Sequence, residues 1–298
     1  MTQITTIDSG NFAAMAKAMG IANEGTTSKS STLPRLRINH KPIMGLAEVN
    51  GKKVNMEVVE GGTYRLDVAE DKVFYATEIK LRPFMQRFML KRFVKGVDKA
   101  PNRFIKTLMS DDLTIDLKDN DGGFNCGKTA GYIEDFKALP EKMQNLIKQI
   151  KRVRAVFGTV ELVNPTNQKG EPVELESTPF IWEIDNRDAF KEFGTVFAKF
   201  NKNKRLPPQH IVDVATSEQP LPNGDSFYLP VATVDMSDAV PLTPEDDDTI
   251  AQFVDWIDNY NTYIINTWAE KARPPEMESE DVSIIDDIVD VEIDEEVA

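Results

Sequence analysis

The sequence predicts an α+β fold, in which a curled antiparallel sheet or a small β-rich barrel carries inserted helices and precedes a disordered acidic tail. Three observations support this fold class. Residues 33–117 contain several short segments of alternating apolar and polar residues, separated by glycine-rich turns. Helical patterns follow without the regular strand–helix–strand order of a parallel sheet. Residues 276–298 contain eleven acids and no bases, a composition that cannot bury enough apolar surface to fold.

The N-terminal residues 1–32 are expected to form an arm and a flexible linker. Residues 11–21 have apolar side chains at helical spacing, and Ser9 could cap such a helix. Residues 23–32 are polar and rich in Gly, Ser and Thr, as is typical of linkers. We therefore divide the chain into this arm, a single α+β domain over residues 33–272 and a tail over residues 273–298.

Turn signals place several hairpins in the first half of the domain. Asn50-Gly51 between alternating segments is a strong hairpin signal, and Gly61-Gly62 is a weaker one. Residues 113–131 are also predicted to form a hairpin, because an alternating segment is followed by Gly122-Gly123.

Residues 84–94 are ambiguous between helix and strand. Phe84 and Phe88 have helical spacing, and Pro83 could begin a helix. The segment nevertheless continues a run of strands, so we predict a strand in which Pro83 marks an edge or a bulge.

The second half of the domain mixes helices with strands. A phenylalanine stripe at spacings of three or four indicates an amphipathic helix whose rings belong to the core. The predicted helices cover residues 134–151 (with a break near Pro140), 186–204 and 243–272, and the predicted strands cover residues 151–163, 178–185, 209–218 and 225–236.

Composition excludes several classes of protein. Cys126 is the only cysteine and the histidines are His40 and His210, too few for an internal disulfide or a Cys/His zinc cluster. No apolar run approaches the roughly 18 residues of a membrane span, and residues 1–12 lack the pattern of a secretory signal. We therefore expect no metal, no cofactor, no membrane association and a cytoplasmic location.

The charge is unevenly distributed along the chain. The whole protein has a net charge of −14, but residues 1–240 contain 31 acids and 33 bases. Acidity therefore belongs to the C-terminal region, and the body is close to neutral with its bases clustered.

The densest basic cluster is the segment 79–109, which contains nine Lys or Arg and one acid, with phenylalanines between them. Cations can follow a phosphate backbone while aromatic faces stack on unpaired bases. A second cluster lies at residues 148–154. The candidate nucleic-acid contacts are Lys80, Arg82, Phe84, Arg87, Phe88, Lys91, Arg92, Phe93, Lys95, Arg103, Lys106, Lys151, Arg152 and Arg154.

Two other interpretations of these features stay open. The Phe and Met side chains of the basic segment could be core, with the Lys and Arg forming a solvated face. Gly122–Thr129 matches the phosphate-binding pattern G-x-x-x-x-G-K-[ST], but the segment before it is alternating and acidic rather than a buried apolar strand. A glycine-rich turn is the simpler explanation of that match.

The combination of a β-rich basic and aromatic body with a long acidic C-terminal tail resembles the single-stranded DNA-binding proteins of bacteriophage replication systems. This resemblance rests on residues 80–106, 148–154 and 276–298. It implies an OB-like core, a tail that recruits a polymerase, primase or helicase, and a host bacterial cytoplasm. The candidate partner-binding residues of the tail are Asp286, Asp287, Asp290, Glu292, Asp294, Glu295 and Glu296. The chain departs from the family at its end, because such tails often finish with an aromatic residue and this one finishes Glu296-Val297-Ala298.

The sequence therefore predicts a non-enzymatic protein that binds single-stranded DNA in phage DNA replication or recombination. The acidic tail would compete with DNA for the basic groove, and the protein could form a homo-oligomer. The alternatives are a virion or assembly protein that uses its arm and tail for subunit contacts, and a P-loop nucleotide-binding protein.

Overall fold

The structure is a computed structural model that describes residues 32–49, 52–96, 101–221 and 225–272. The predicted arm, most of its linker and the acidic tail lie outside these residues. The chain divides into two compact units, Met1–Leu33 and Pro34–Ala298. All the elements named below belong to the second unit.

Three helices and eleven strands make up the described part of the chain. The helices are α1 (Glu141–Gln149), α2 (Arg187–Lys202) and α3 (Pro244–Ala272). The strands are β1 (Arg35–Asn39), β2 (Ile43–Val49), β3 (Lys52–Val59), β4 (Thr63–Ala69), β5 (Lys72–Ala76), β6 (Ile79–Val94), β7 (Arg103–Lys106), β8 (Ile150–Leu162), β9 (Thr178–Ile184), β10 (Val212–Pro220) and β11 (Ser226–Val234).

Nine of the strands form one large sheet in the order β11-β10-β6-β8-β9-β1-β4-β5, and β7 pairs with the last part of β6. Every pairing is antiparallel except that between β1 and β9. The strands β2 and β3 form a separate hairpin. The predicted mixture of helices with an antiparallel-rich sheet is therefore confirmed.

The sheet is curled but does not close into a barrel among the described strands, so the barrel alternative was wrong. β10 pairs with β6 only over Val212–Val214 and then diverges from it. Its later residues reach the far side of the sheet, where the Tyr64 hydroxyl donates to the Ala215 carbonyl at 3.0 Å. The Thr216 hydroxyl likewise donates to the Gly62 carbonyl at 2.7 Å. Side-chain hydrogen bonds thus join the two ends where a barrel would have a ladder.

The long strand β6 settles the ambiguity of residues 84–94 in favour of a strand. Its pairing with β8 shifts register between Pro83 and Met85, which is the bulge that Pro83 predicted. Gly158 lies opposite Pro83, and a Cβ there would approach the Pro83 Cα to 2.9 Å and overlap the Arg82 carbonyl oxygen. The bulge therefore requires glycine at this position of β8.

The inner face of the curled sheet is covered by α2. The helix begins after Asn186, whose side chain accepts hydrogen bonds from the backbone N–H groups of Asp188 and Ala189. Phe193 is buried against Trp182 of β9, with ring centroids 4.9 Å apart. The predicted core role of the phenylalanine stripe is confirmed on this face.

The outer face is covered by α3 where β6 and β8 run side by side. Phe253 packs against Phe84 and Phe157, with centroid distances of 5.9 and 5.8 Å. Arg82 makes a bidentate ion pair with Asp246 at 2.6 and 2.8 Å, which fixes the first turn of the helix to β6. α3 does not cover the rest of the outer face.

Three local predictions were wrong in detail. α1 begins at Glu141 because Pro140 occupies its N-cap in an extended conformation, and the residue before a proline avoids the α region. Gly61-Gly62 does not join paired strands, since β3 pairs with β2 and β4 pairs with β1. Residues 113–131 form an irregular loop with one bridge between Lys118 and Phe124 rather than a full hairpin.

Candidate nucleic-acid interface

A band of cations crosses the outer face of the sheet next to α3. It runs through six neighbouring strands in the order β7, β6, β8, β9, β1 and β4. Neighbouring strands lie about 4.8 Å apart, so the band spans roughly 24 Å. Its cations, which we call the basic band, are Lys106, Lys91, Lys151, Arg35, Arg37 and Arg65.

Strand alternation places these side chains on one face. In β1, Leu36 faces the inner core while Arg35 and Arg37 on either side face outward. The register pairs Arg37 with Arg65 of β4, and it pairs Lys91 of β6 with Lys106 of β7 and Lys151 of β8. The band is therefore a direct product of sheet register.

Two carboxylates in the middle of the band hold its cations together. Glu183 of β9 lies 3.3 Å from Lys106 Nζ and 3.8 Å from both Arg35 Nη1 and Lys91 Nζ. Asp185 lies 3.2 Å from Lys151 Nζ and 3.6 Å from Lys91 Nζ. Each carboxylate is shared between cations, and most of these distances are longer than a tight hydrogen-bonded pair.

The band keeps an excess of positive charge. Its six cations face three acids, because Asp67 pairs with Arg37 and Arg65 beside the Glu183–Asp185 group. Arg35, Arg37 and Lys151 have side chains 49%, 57% and 58% exposed. These three guanidinium and ammonium groups can therefore reach a ligand in solvent.

Two phenylalanines lie at the β6–β7 end of the band. Phe93 and Phe104 are 46% and 48% exposed, and their ring centroids are 5.2 Å apart. Lys91 Nζ lies 4.8 Å from the centroid of Phe104. Large aromatic side chains left half in solvent beside cations can offer a ring face to an unpaired base.

A cleft of about 400 Å³ lies along the band. Its lining includes Arg35, Arg37, Lys91, Lys106 and Phe104. Tyr260 of α3 lies at the border of this region, and burial is the main cause that raises its pKa, with a smaller contribution from Glu183. The Tyr260 hydroxyl donates to the carbonyl of Thr107 at 2.9 Å, and Thr107 directly follows Lys106, so α3 packs beside the β7 end of the band.

The structure brings four of the predicted contact residues together in this region. They are Lys91, Phe93, Lys106 and Lys151. Residues up to 60 positions apart in sequence thus meet through the pairing of β6, β7 and β8.

Four other predicted residues are engaged inside the protein. Phe84 is only 7% exposed and packs against Phe253, and Arg82 is held by Asp246. Arg154 is 6% exposed, and its guanidinium carbon lies 4.9 Å from the ring centroid of Phe88. Phe84 and Arg154 are buried, and Arg82 and Phe88 are partly buried with their charged or aromatic groups engaged by protein partners. For these positions the core interpretation describes the structure.

The remaining predicted cations are scattered around the sheet. Lys80 lies near Glu161 at 3.9 Å, and Arg103 pairs with Asp121. Arg92 lies against the loop around Gly127, and Arg87 donates to the neighbouring Gln86 carbonyl at 2.9 Å. Lys95 and Arg152 are exposed.

Sequence reasoning missed Arg35, Arg37, Arg65 and Phe104 as members of the candidate interface. The signal was present in the alternation of residues 33–40 and 63–68, where Arg35 and Arg37 flank Leu36 and Arg65 lies between Tyr64 and Leu66. Arg35, Arg37 and Arg65 do not belong to a dense run of charge along the chain, which is the feature that predicted the other contacts. A sheet collects cations from separate strands, which linear density does not reveal.

The phosphate-loop match at Gly122–Thr129 is organised around an internal carboxylate. Asp119 is 2% exposed and accepts hydrogen bonds at 3.0 Å from the backbone N–H groups of Asp121, Gly123 and Cys126. Lys128 follows in an extended conformation, where a phosphate loop would enter a helix. The N–H groups that could cradle a phosphate are thus occupied by Asp119, and this geometry does not favour nucleotide binding.

Neither a metal-binding group of side chains nor a membrane-spanning helix occurs in the part of the chain that the structure describes. This part contains no group of three or more His, Cys, Asp or Glu side chains that could hold a metal ion. None of its helices is long and apolar enough to cross a membrane. The acidic residues predicted to bind partners, at positions 286–296, lie outside the described ranges.

Comparison of the chain with protein-family models, with curated protein sequences and with solved structures found no match.

Proposed function

We propose that this protein binds single-stranded DNA without catalysis and largely independently of sequence, through the basic band. The observation that carries the proposal is the composition of that surface. Six cations from five strands outnumber three acids, and two half-exposed phenylalanines adjoin them. Cations neutralise phosphates whatever the base, and an aromatic face stacks on any unpaired base.

The arrangement suggests a division of roles among the side chains. Arg35, Arg37 and Lys151 are the most exposed cations and would contact phosphates. Phe93 and Phe104 would stack on bases, which favours a single strand because the bases of a duplex already stack on each other. The curl of the antiparallel sheet supports, as part of this proposal, the OB-like character expected from the sequence.

The acidic tail would compete with DNA for the band. The described chain ends at Ala272, next to a loop in which a Cβ on Gly122 would lie 3.2 Å from the Ala272 nitrogen. The same loop contacts β7, since the Asn120 side chain accepts from the Lys106 N–H at 2.9 Å. The 26 residues that follow therefore start close to one end of the band.

We place this activity in phage-type DNA replication or recombination, with the tail recruiting a polymerase, primase or helicase. The support for this part is the resemblance of the sequence to phage single-stranded DNA-binding proteins and the acidity of residues 276–298. When the tail is bound to a partner, the band would be free for DNA.

Fluorescence anisotropy with labelled oligo-dT and with a duplex of equal length tests the proposal. We expect tighter binding to the single strand and an affinity that falls steeply as salt concentration rises, because phosphate contacts release counterions. Equal affinity for duplex and single strand would remove the stacking role of Phe93 and Phe104. Absence of binding to either DNA at low salt would refute the function.

A further inference from the structure

The hairpin of β2 and β3 carries an unusual share of exposed apolar side chains. Met44 and Leu46 of β2 are 53% and 73% exposed, and Val54 and Met56 of β3 are 45% and 43% exposed. The base of the hairpin is buried, since Val59 packs in a small core with β5. Half of the hairpin is therefore anchored while the other half leaves apolar groups in solvent.

The outer edge of β3 is unpaired over most of its length. Among the described strands β3 pairs only with β2. Gly170 covers the edge near Val58, where an added Cβ would lie 3.3 Å from the Val58 carbonyl carbon. Within the described part of the chain, the stretch of this edge without a pairing partner is residues 52–57, and an unpaired edge strand is a template for pairing with another chain.

We propose that this edge pairs antiparallel with β3 of a second copy of the chain, about a two-fold axis at Asn55. Most homodimers have a two-fold axis, which brings the same surface of each copy together. Here that surface would be the edge of β3. In this register Val54 lies opposite Met56 of the second copy, and Lys53 lies opposite Glu57. The two hairpins then form a four-stranded sheet.

The sequence of β3 selects this register and this occupant. Apolar residues meet apolar residues, and opposite charges meet twice by symmetry, which stabilises cross-strand pairs. Moving the axis to Val54 would leave Glu57 without a cation opposite it, and moving it to Met56 would place Lys53 opposite Val59. Of these three axes, only the one at Asn55 places Val54 opposite an apolar residue and also places Lys53 opposite a residue of the other sign.

Charge also favours a second copy at this position. The protein carries a net charge of −14 that belongs to its C-terminal region, so two copies repel each other where those regions approach. Residues 41–60 contain three lysines and three glutamates and are neutral. The hairpin is therefore a place where two copies can approach without that repulsion.

Disulfide trapping tests the register directly. Residues facing each other across an antiparallel pair have Cα atoms about 4.5–5.5 Å apart, within the range that a disulfide spans. We expect full-length Asn55→Cys protein to form a covalent dimer under mild oxidation. Leu46→Cys is the matched control, because Leu46 is 73% exposed but lies on β2. The native Cys126 is 1% exposed and does not compete. Equal rates of dimer formation in the two variants would overturn the proposal.

A charge exchange provides an independent test by sedimentation velocity without DNA. We expect wild-type protein to self-associate, and Glu57→Lys or Lys53→Glu to raise the dissociation constant about tenfold by placing like charges opposite each other. The double variant should restore association. A monomeric wild type, or a double variant no better than the single variants, would refute the pairing. Because no DNA is present, these results leave the proposed DNA binding to its own experiment.

Discussion

Arg154 is a buried cation whose neighbours are aromatic rings. Its guanidinium carbon lies 4.4 Å from the ring centroid of Phe190 and 6.0 Å from that of Phe197, and it donates to the Gln86 side chain. Burial lowers its pKa to about 10. Density of charge in the sequence marked Arg154 as a DNA contact, whereas packing makes it a core residue whose charge is stabilised by ring faces.

Substitution of Arg154 distinguishes these two roles. Arg154→Met should change the free energy of unfolding by less than about 1 kcal/mol, because an apolar chain of similar length can replace a buried charge. Arg154→Ala should cost about 2–3 kcal/mol, because the rings around it lose their packing. Urea denaturation measures both values. Loss of oligo-dT binding by a stably folded Arg154→Met protein would contradict the core assignment.

Buried tyrosine and cysteine side chains predict sensitivity to alkali. Burial raises the pKa of Cys126 from 9.0 to about 12 and raises the pKa values of Tyr64 and Tyr260 above their ordinary value of 10.0. The folded protein therefore keeps protons that the unfolded chain releases. Stability is fully present below the unfolded pKa values and decreases as the pH rises above 9. The lowered pKa of Arg154 has the opposite effect on stability above about pH 10. In that range Cys126, Tyr64 and Tyr260 lower the free energy of unfolding, and Arg154 raises it.

Denaturation by urea at about pH 8 and about pH 10 checks this prediction. We expect a lower free energy of unfolding at the higher pH, and a smaller decrease in Cys126→Ala protein. A free energy of unfolding that is constant or rises across this interval would show that these groups are not buried as described.

At the scale of elements, the bulge between β6 and β8 determines how α3 meets the sheet. The bulge brings Phe84 to the outer face, where it contacts Phe253, and the neighbouring Arg82 reaches Asp246. Two contacts of α3 therefore depend on one irregularity of the sheet.

Gly158→Ala tests the dependence on this bulge. The added methyl group would overlap backbone atoms of Arg82 and Pro83, so we expect a loss of at least about 1–3 kcal/mol of stability. Gly123→Ala is a suitable control, because the nearest atom to its added Cβ is a side-chain oxygen of Asp119 at 3.4 Å. Thermal or urea denaturation of the two variants should separate them clearly. Equal stabilities would mean that the sheet relaxes without cost.

At the scale of the whole molecule, the acidic tail and the basic band have opposite charges within one chain. We expect protein ending at Pro275 to bind oligo-dT more tightly than the full chain at low salt. The difference should shrink as salt rises, because screening acts over about 10 Å at 0.1 M. Anisotropy titrations at two salt concentrations measure it. Identical affinities of the two proteins at low salt would contradict competition by the tail.

Much of the fold could be predicted from local sequence, and less of the interface. Alternation, turn residues and the phenylalanine stripe predicted β6, β8, β9, α2 and α3 because those signals are local. The closed barrel was wrong because strand order depends on contacts between distant residues such as Tyr64 and Ala215.

The prediction of the interface residues was incomplete for a related reason. The linear pattern contained Lys91, Lys106 and Lys151, but their neighbours Arg35 and Arg37 come from a strand more than 50 residues away. Which cations are free also depends on partners such as Asp246, which holds Arg82 from the far end of the domain. Strand register and ion pairing, rather than residue type, determine which cations belong to the basic band.

The most direct test compares two triple variants in oligo-dT binding. Arg35, Arg37 and Lys151 are replaced by Ala in the first, and the exposed Lys142, Lys199 and Lys202 are replaced in the second. Both proteins lose three positive charges, so their overall charge is matched. We expect the first to bind at least about tenfold more weakly with a flatter salt dependence, and the second to bind like wild type. Equal affinities of the two variants would contradict binding at the basic band.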